Sequence, residues 1–177
     1  MRSQKFQKLA DLIIFAMLGV IMFVSKYMTE ALPNIHMLGM LTMTYTIVYR
    51  KKALIPVYVF VFLIGLFNGF ALWWIPYLYL WTILWAITML LPKNMSKKVA
   101  VPVYAIVCAL HGLCYGTLYA PAQALMYGLD FKAMVTWIIA GLPWDALHAA
   151  GNFAVGLLIV PFATALKKFH KIAGQEK

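Results

Sequence analysis

Residues 99–119 read VAVPVYAIVCALHGLCYGTLY, a run with no Lys, Arg, Asp or Glu and one histidine beyond its middle. A helix that crosses a bilayer needs about 20 mostly apolar residues, so this run is long enough to cross. Working outward, with Pro, Gly and charge as punctuation, five more blocks follow, roughly 9–29, 33–49, 53–72, 76–91 and 143–166. The second and fourth are short, as suits helices that extend into their loops or sit where the bundle is thin. Across the 177 residues 64% are hydrophobic and 11% charged. A soluble domain averages about 45–50% apolar and about 25% charged, so this chain has more apolar surface than one soluble core can hide. The same balance excludes simple disorder. Cys108 and Cys114 are the only cysteines and share one apolar run, which excludes a disulfide scaffold. The expected fold is all-α: a polytopic membrane protein, a six-transmembrane-helix bundle forming one domain over 1–177.

Charge sets the orientation. The net charge is +10, but the basic residues fall in short clusters between apolar blocks, a pattern unlike a nucleic-acid surface. Arg2, Lys5 and Lys8 precede the first block; Arg50, Lys51 and Lys52 follow the second. Lys93, Lys97 and Lys98 follow the fourth, and Lys167, Lys168, Lys171 and Lys177 the last. Thirteen of the 15 basic residues thus fall on one side of an even-numbered bundle, leaving Lys26 and Lys132 opposite. Short cytoplasmic loops carry the Lys and Arg excess, so both termini are expected in the cytoplasm. The first block is too long for a signal-peptide core and lacks a small-x-small cleavage site, so it reads as a retained helix. Continuous rather than alternating apolar runs argue against a transmembrane barrel.

The outer connections are richer than the inner ones. Thr29-Glu30-Ala31-Leu32-Pro33-Asn34 is a turn with an acid, and Trp73-Trp74-Ile75-Pro76-Tyr77 is aromatic. Between the fifth and sixth blocks, Ala120 to Leu142 is neither polar nor continuous enough for a free loop or a span. Pro121 suits a first helical position and Gly128 a stop, so Ala120–Gly128 reads as a short helix. Phe131–Ala140 reads as a second apolar stretch ending at Gly141-Leu142-Pro143. The expectation is an outer lid between helices five and six, packed over the bundle.

Polar side chains inside a bilayer usually face the bundle interior and mark a pathway or a site. Tyr104, Cys108, His111, Tyr115 and Tyr119 recur at helical spacing and share one face of the fifth block. Asp145, His148 and Asn152, after Pro143-Trp144, share a face of the sixth. With a rise of about 1.5 Å per residue, His111 lies roughly 12 Å below Tyr119 and Asn152 roughly 13 Å below Pro143, and Tyr115 and His148 match in depth. The fourth block adds Tyr77, Trp81, Trp85 and Thr88. Aromatic walls with a few convergent polar groups are what a small-molecule site needs. Plainer roles compete. Trp73, Trp74 and Tyr77 also suit an interfacial belt, Asp145 a first-turn acid compensating a helix dipole, and His111 an interhelical hydrogen bond. His36 reads as interfacial, His170 as solvated, and the methionines as packing.

No P-loop, H-E-x-x-H or G-x-S-x-G occurs, so any ATP dependence must come from a partner. No cofactor or metal is expected. Asp145 is the single acid within the later blocks, with no second carboxylate for acid–base work.

Six helices in this length, a Pro-aromatic-Asp opening of the last helix and an aromatic outer mouth resemble the S component of an energy-coupling factor (ECF) vitamin transporter. Leu110-His111-Gly112, Tyr119-Ala120-Pro121-Ala122-Gln123 and Gly141-Leu142-Pro143-Trp144-Asp145 carry the resemblance locally. It implies a multi-pass subunit of a bacterial cell membrane that captures a vitamin or precursor from outside. It also implies partners, a transmembrane scaffold and two ATPase subunits on which the S component topples. The implied site comprises Trp73, Trp74, Tyr77, Trp81, His111, Tyr115, Gln123, Trp144, Asp145, His148 and Asn152, with gates near Pro33, Trp73–Tyr77 and Ala120–Leu142. Family members meet the scaffold through small residues four apart on the first helix. Here Ala16 is followed by Val20, with Gly19 beside it, so Ala16 and Gly19 are the implied contacts. Nickel and cobalt members carry His directly after Met; Arg2 stands there in this chain, against metal uptake. Tyr and Trp walls with Asp145, His148 and Asn152 suit a hydroxymethylpyrimidine- or thiamine-like heterocycle, and a long lid suits cobalamin. Two other classes stand beside this one: an intramembrane enzyme acting on a lipid-like substrate through His111, Asp145 and His148, and an assembly subunit with no ligand.

Overall fold

The computed structural model describes residues 4–32 and 34–172; Arg2, Pro33 and Lys177 lie outside them. The protein is 85% helix, with no strand among the described residues. Its helices are α1 (Gln4–Met28), α2 (Leu38–Tyr49), α3 (Leu54–Asn68), α4 (Tyr77–Leu90), α5 (Lys97–Leu113), α6 (Tyr115–Tyr127), α7 (Phe131–Gly156) and α8 (Ile159–Ile172). Short 3-10 turns at Arg50–Ala53 and Leu72–Trp74 lead into α3 and α4. Leu9–Met28, Leu72–Leu90 and Lys97–Tyr127 are each long and apolar enough to cross a membrane. The pair α7 and α8, bent by 47°, makes a fourth if taken as one span.

α2 and α3 fall short in length, and for α2 the packing explains why the sequence can be short there. Every residue from Leu38 to Thr46 is buried, and α2 touches α1, α4, α5, α7 and α8. A helix apolar all round is one enclosed by protein. Thr46 returns its hydroxyl to the Thr42 carbonyl at 2.7 Å, so this enclosure does not strand it. α3 stops at Asn68 because Gly69 takes φ +88°, a turn that side chains resist.

Small residues set the closest helix crossings. A Cβ on Gly19 would come 2.5 Å from Val59 of α3 and 2.9 Å from the Pro56 carbonyl. A Cβ on Gly112 would come 3.0 Å from the His148 carbonyl, and one on Gly156 2.9 Å from Ala105, so α5 and α7 press backbone to backbone. At one end of the bundle Lys52 pairs with Asp11 at 2.7 Å, Arg50 donates to the Met89 carbonyl at 2.9 Å, and Tyr49 packs on His170. The opposite end carries the connections 29–37, 69–76 and 128–130.

Ala120–Leu142 forms no separate lid. Its first part belongs to α6, where Pro121 is interior rather than first, and its second part opens α7. α7 runs unbroken through Gly141-Leu142-Pro143, so the sixth block begins at Phe131 instead of Pro143. Its true start is Asp130, whose carboxylate accepts the Ala133 N–H at 2.7 Å, a helix N-cap. Gly128, in the left-handed region at φ +66°, ends α6 as expected. Pro143 removes one backbone donor, a loss that membrane helices tolerate when neighbours restore the freed group.

Candidate functional site

The site grows from a break. α5 ends at Leu113, Cys114 leaves the helical path, and α6 starts at Tyr115. A new helix start exposes unpaired backbone N–H groups. One of them, on Gly116, donates to both oxygens of Asp145 at 3.1 and 3.2 Å. Asp145 sits in the interior of α7, so the dipole it compensates belongs to its neighbour, not to its own helix. Glycine at 116 lets the carboxylate come this close: a Cβ there would stand 2.5 Å from it and push it aside.

One turn from Asp145 on the same helix, His148 meets Tyr115, ring centroids 5.0 Å apart, the pairing that the depth arithmetic predicts. Trp81 of α4 packs against Tyr115, buried at 1% exposure. Its centroid is 6.1 Å from Tyr115, 5.8 Å from His111 and 6.2 Å from Tyr77. The His111 Nε2 lies 3.1 Å from the Leu80 carbonyl, which can only accept, so the proton sits on Nε2. The freed Nδ1 of His111, the Trp81 Nε1–H and the His148 Nε2 are buried with no hydrogen-bond partner among the described residues. Buried polar groups are normally satisfied, so these three groups mark where a ligand or water would complete the cluster.

His36 completes the ring of aromatics, and the sequence reading placed it at the interface instead. Asn34 takes φ +56° and reverses the chain, a conformation Asn adopts more readily than most residues. Ile35 then seats on α7, where a Cβ at Gly151 would come 3.1 Å from its Cγ1. His36 follows into the bundle, 6.0 Å from Trp81 and 4.7 Å from His148 between ring centroids. A turn residue before an alternating Ile35-His36-Met37 was the available signal. The resulting cavity holds about 210 Å³ and is lined by Lys26, Glu30, His36, Tyr77, Tyr115 and His148, with Thr29, Leu32, Asn34 and Ile35.

Of the expected site residues, Tyr77, Tyr115 and His148 line the cavity; Trp81 packs on Tyr77 and Tyr115, and His111 on Trp81 and Tyr115, outside the lining, with Asp145 one turn from His148. Asn152 does not reach the cavity: its Nδ2 donates to the Cys108 carbonyl at 3.2 Å and rests against Gly39 and Gly112. Trp73 stands behind Tyr77, and its carbonyl accepts the Tyr119 hydroxyl at 3.0 Å. Trp74 turns away, donating to the Val61 carbonyl at 2.8 Å and packing on Phe70. Gln123 is half-buried on α6 outside the cavity lining, and Trp144 is 57% exposed. Of the implied partner contacts, Ala16 is exposed, whereas Gly19 is covered by α3 because that crossing needs its missing side chain. Among the described residues no group of three His, Cys, Asp or Glu could hold a metal ion. Among the described residues His111, Asp145 and His148 make no hydrogen bonds to one another; both Asp145 oxygens share the Gly116 N–H. The chain matches no family model, no curated protein and no solved structure.

Proposed function

We propose that this chain is the substrate-binding membrane subunit of an ATP-driven importer of ECF type. The observation that carries this reading is the cavity beside His36, Tyr77, Tyr115 and His148, two of whose lining residues, His36 and His148, carry buried ring nitrogens without a partner among the described residues. Its about 210 Å³ equals roughly seven waters at about 30 Å³ each, below the about 300 Å³ where sites for drug-sized ligands begin. That size favours a single-ring heterocycle such as a hydroxymethylpyrimidine over cobalamin. The rings supply stacking surface and the imidazoles supply hydrogen bonds of either sense.

On this reading the six apolar blocks all cross the membrane, α2 and α3 as short members sheltered by the rest. The end holding Arg50, Lys51, Lys52, Lys97 and Lys98 is cytoplasmic, as are both termini, and the cavity opens outside. A scaffold and two ATPase subunits dock on the exposed α1 face around Ala16. Commitment of Asp145 to Gly116 supports binding over the alternative of an intramembrane enzyme. Mass spectrometry of the protein purified in mild detergent tests the proposal. A co-purified heterocycle, lost in Tyr115→Ala and His148→Ala, is expected. High accumulation of that compound by cells expressing this chain with no ATPase partner would overturn it.

A further inference from the structure

The outer face of α3 begins at charge and continues as hydrocarbon. α1 and α3 come closest where Gly19 meets Val59, and toward Lys52 a wedge of about 260 Å³ remains between them. Leu12, Phe15 and Ile55 line its depth, and Asp11 and Lys52 stand at its mouth, joined at 2.7 Å. Ile55 also lines a wider trough of about 500 Å³ on α3, with Tyr58, Val59, Phe62 and Leu63 beyond it, so the two hollows adjoin. The one hydroxyl in that trough is turned to α4: Tyr58 donates to the Leu78 carbonyl at 3.0 Å and lies 2.9 Å from the Thr82 hydroxyl. What the trough presents outward is therefore apolar. Lys52 to Leu63 spans about 16 Å along the helix, and one leaflet's share of the hydrocarbon is about 15 Å.

The mouth carries both signs. Lys51 is exposed and makes no ion pair among the described residues, and Lys52 is 62% exposed despite its pairing. Asp11 is 27% exposed and is the one acid at this end among the described residues. Asp11 Oδ2 receives Lys52, while Oδ1 accepts no hydrogen bond among the described residues. An exposed ion pair stabilises little by itself, so both partners stay available to a third group.

We propose that this face holds one phospholipid whose headgroup carries a primary ammonium beside its phosphate. Lys51 and Lys52 take the phosphate, Asp11 takes the ammonium, and the acyl chains lie in the wedge and the trough, covering Leu12, Ile55 and Phe62. The choice of headgroup follows from Asp11. A headgroup with phosphate alone sets a second negative charge beside the carboxylate and gives it nothing to accept. A trimethylated amine keeps the positive charge but has no N–H to donate. The site rests on α1 and α3 crossing the bilayer, as in the reading above, and not on what the cavity binds.

The full chain in mild detergent is mixed with equal amounts of phosphatidylethanolamine, phosphatidylcholine and phosphatidylglycerol of identical acyl chains, and native mass spectrometry counts the lipid retained. One phosphatidylethanolamine per chain is expected, favoured roughly tenfold over the other two, as one added charge-assisted hydrogen bond would give. Asp11→Asn should erase the preference over phosphatidylcholine, and Lys51→Gln with Lys52→Gln should lose all three lipids. Ile55→Trp, at an exposed position, fills the hollow and should lower retention of all three alike. Thermal unfolding reports whether each variant folds. Should Asp11→Asn fail to fold, stepwise methylation of the lipid amine decides on the unaltered chain, with retention falling at each methyl. Equal retention of the three lipids, a preference for phosphatidylglycerol, or a preference unchanged in Asp11→Asn would overturn the site. Retention of no lipid would overturn it too, and a heterocycle seen in the same spectra would show that the importer reading stands without it.

Discussion

Gly116 offers one backbone N–H at the start of α6, and Asp145 spends both carboxylate oxygens on it. A hydrogen bond to a charged group contributes about 1.5–3 kcal/mol, and a lost N-cap costs about 0.5–2 kcal/mol. Asp145→Ala should therefore lower stability in detergent by about 1–3 kcal/mol, and Asp145→Asn, which keeps an acceptor, by less. Gly116→Ala should cost a similar amount by forcing the carboxylate aside, and the double variant should cost little more than either single. An unchanged unfolding temperature in Asp145→Ala would remove the structural role given to this acid. The residue's two neighbours on α7 differ in consequence: His148 borders the cavity, while Trp144 faces outward and should tolerate replacement by Phe without loss of binding.

At the scale of the helix, α7 is where sequence and structure part. Pro143 and Gly141 read as a boundary, yet the helix passes through both, and a Cβ at Gly141 would meet nothing within 4 Å. Gly141→Ala should thus stabilise the protein by about 0.5–1 kcal/mol through helix propensity. Gly112→Leu should do the reverse, prying α5 from α7 by several kcal/mol as overpacking adds to a lost crossing. Thermal unfolding of the two variants side by side checks both signs; a destabilised Gly141→Ala would restore a break at that position. What the chain displays openly is period and apolar length, which is why α1, α4 and the shared face of Tyr104, Cys108, His111 and Tyr115 were legible. The Asp130 cap was written in the sequence too, but Pro143 is the louder signal. The break at Cys114 has no Pro or Gly on it and depends on Asp145, 31 residues later, so local reading could not find it. The inward turn of His36 depends on Gly151 in the same non-local way.

For the whole molecule, the uneven helix lengths bear on how the bundle meets a bilayer. Lys97–Tyr127 is about 46 Å long at about 1.5 Å per residue, against a hydrocarbon thickness of about 30 Å, whereas α2 is about 18 Å. If Lys97–Tyr127 crosses a bilayer, it has to tilt or to project beyond the hydrocarbon. With six crossings, Ala31→Cys in a Cys114→Ser background should react with a membrane-impermeant maleimide on intact cells. Lys51→Cys should react only after permeabilisation; labelling of both from the same side would contradict the even-numbered topology. The enclosure of α2 has a further bearing on biogenesis. Its wrapping comes from α1 and α4 before the midpoint of the chain and from α5, α7 and α8 after it. A nascent chain that has emitted only its first half holds a short, threonine-bearing rod with nowhere sheltered to rest. Closure around α2 therefore waits for the later helices, α8 among them, which packs on α2 and brings His170 onto Tyr49.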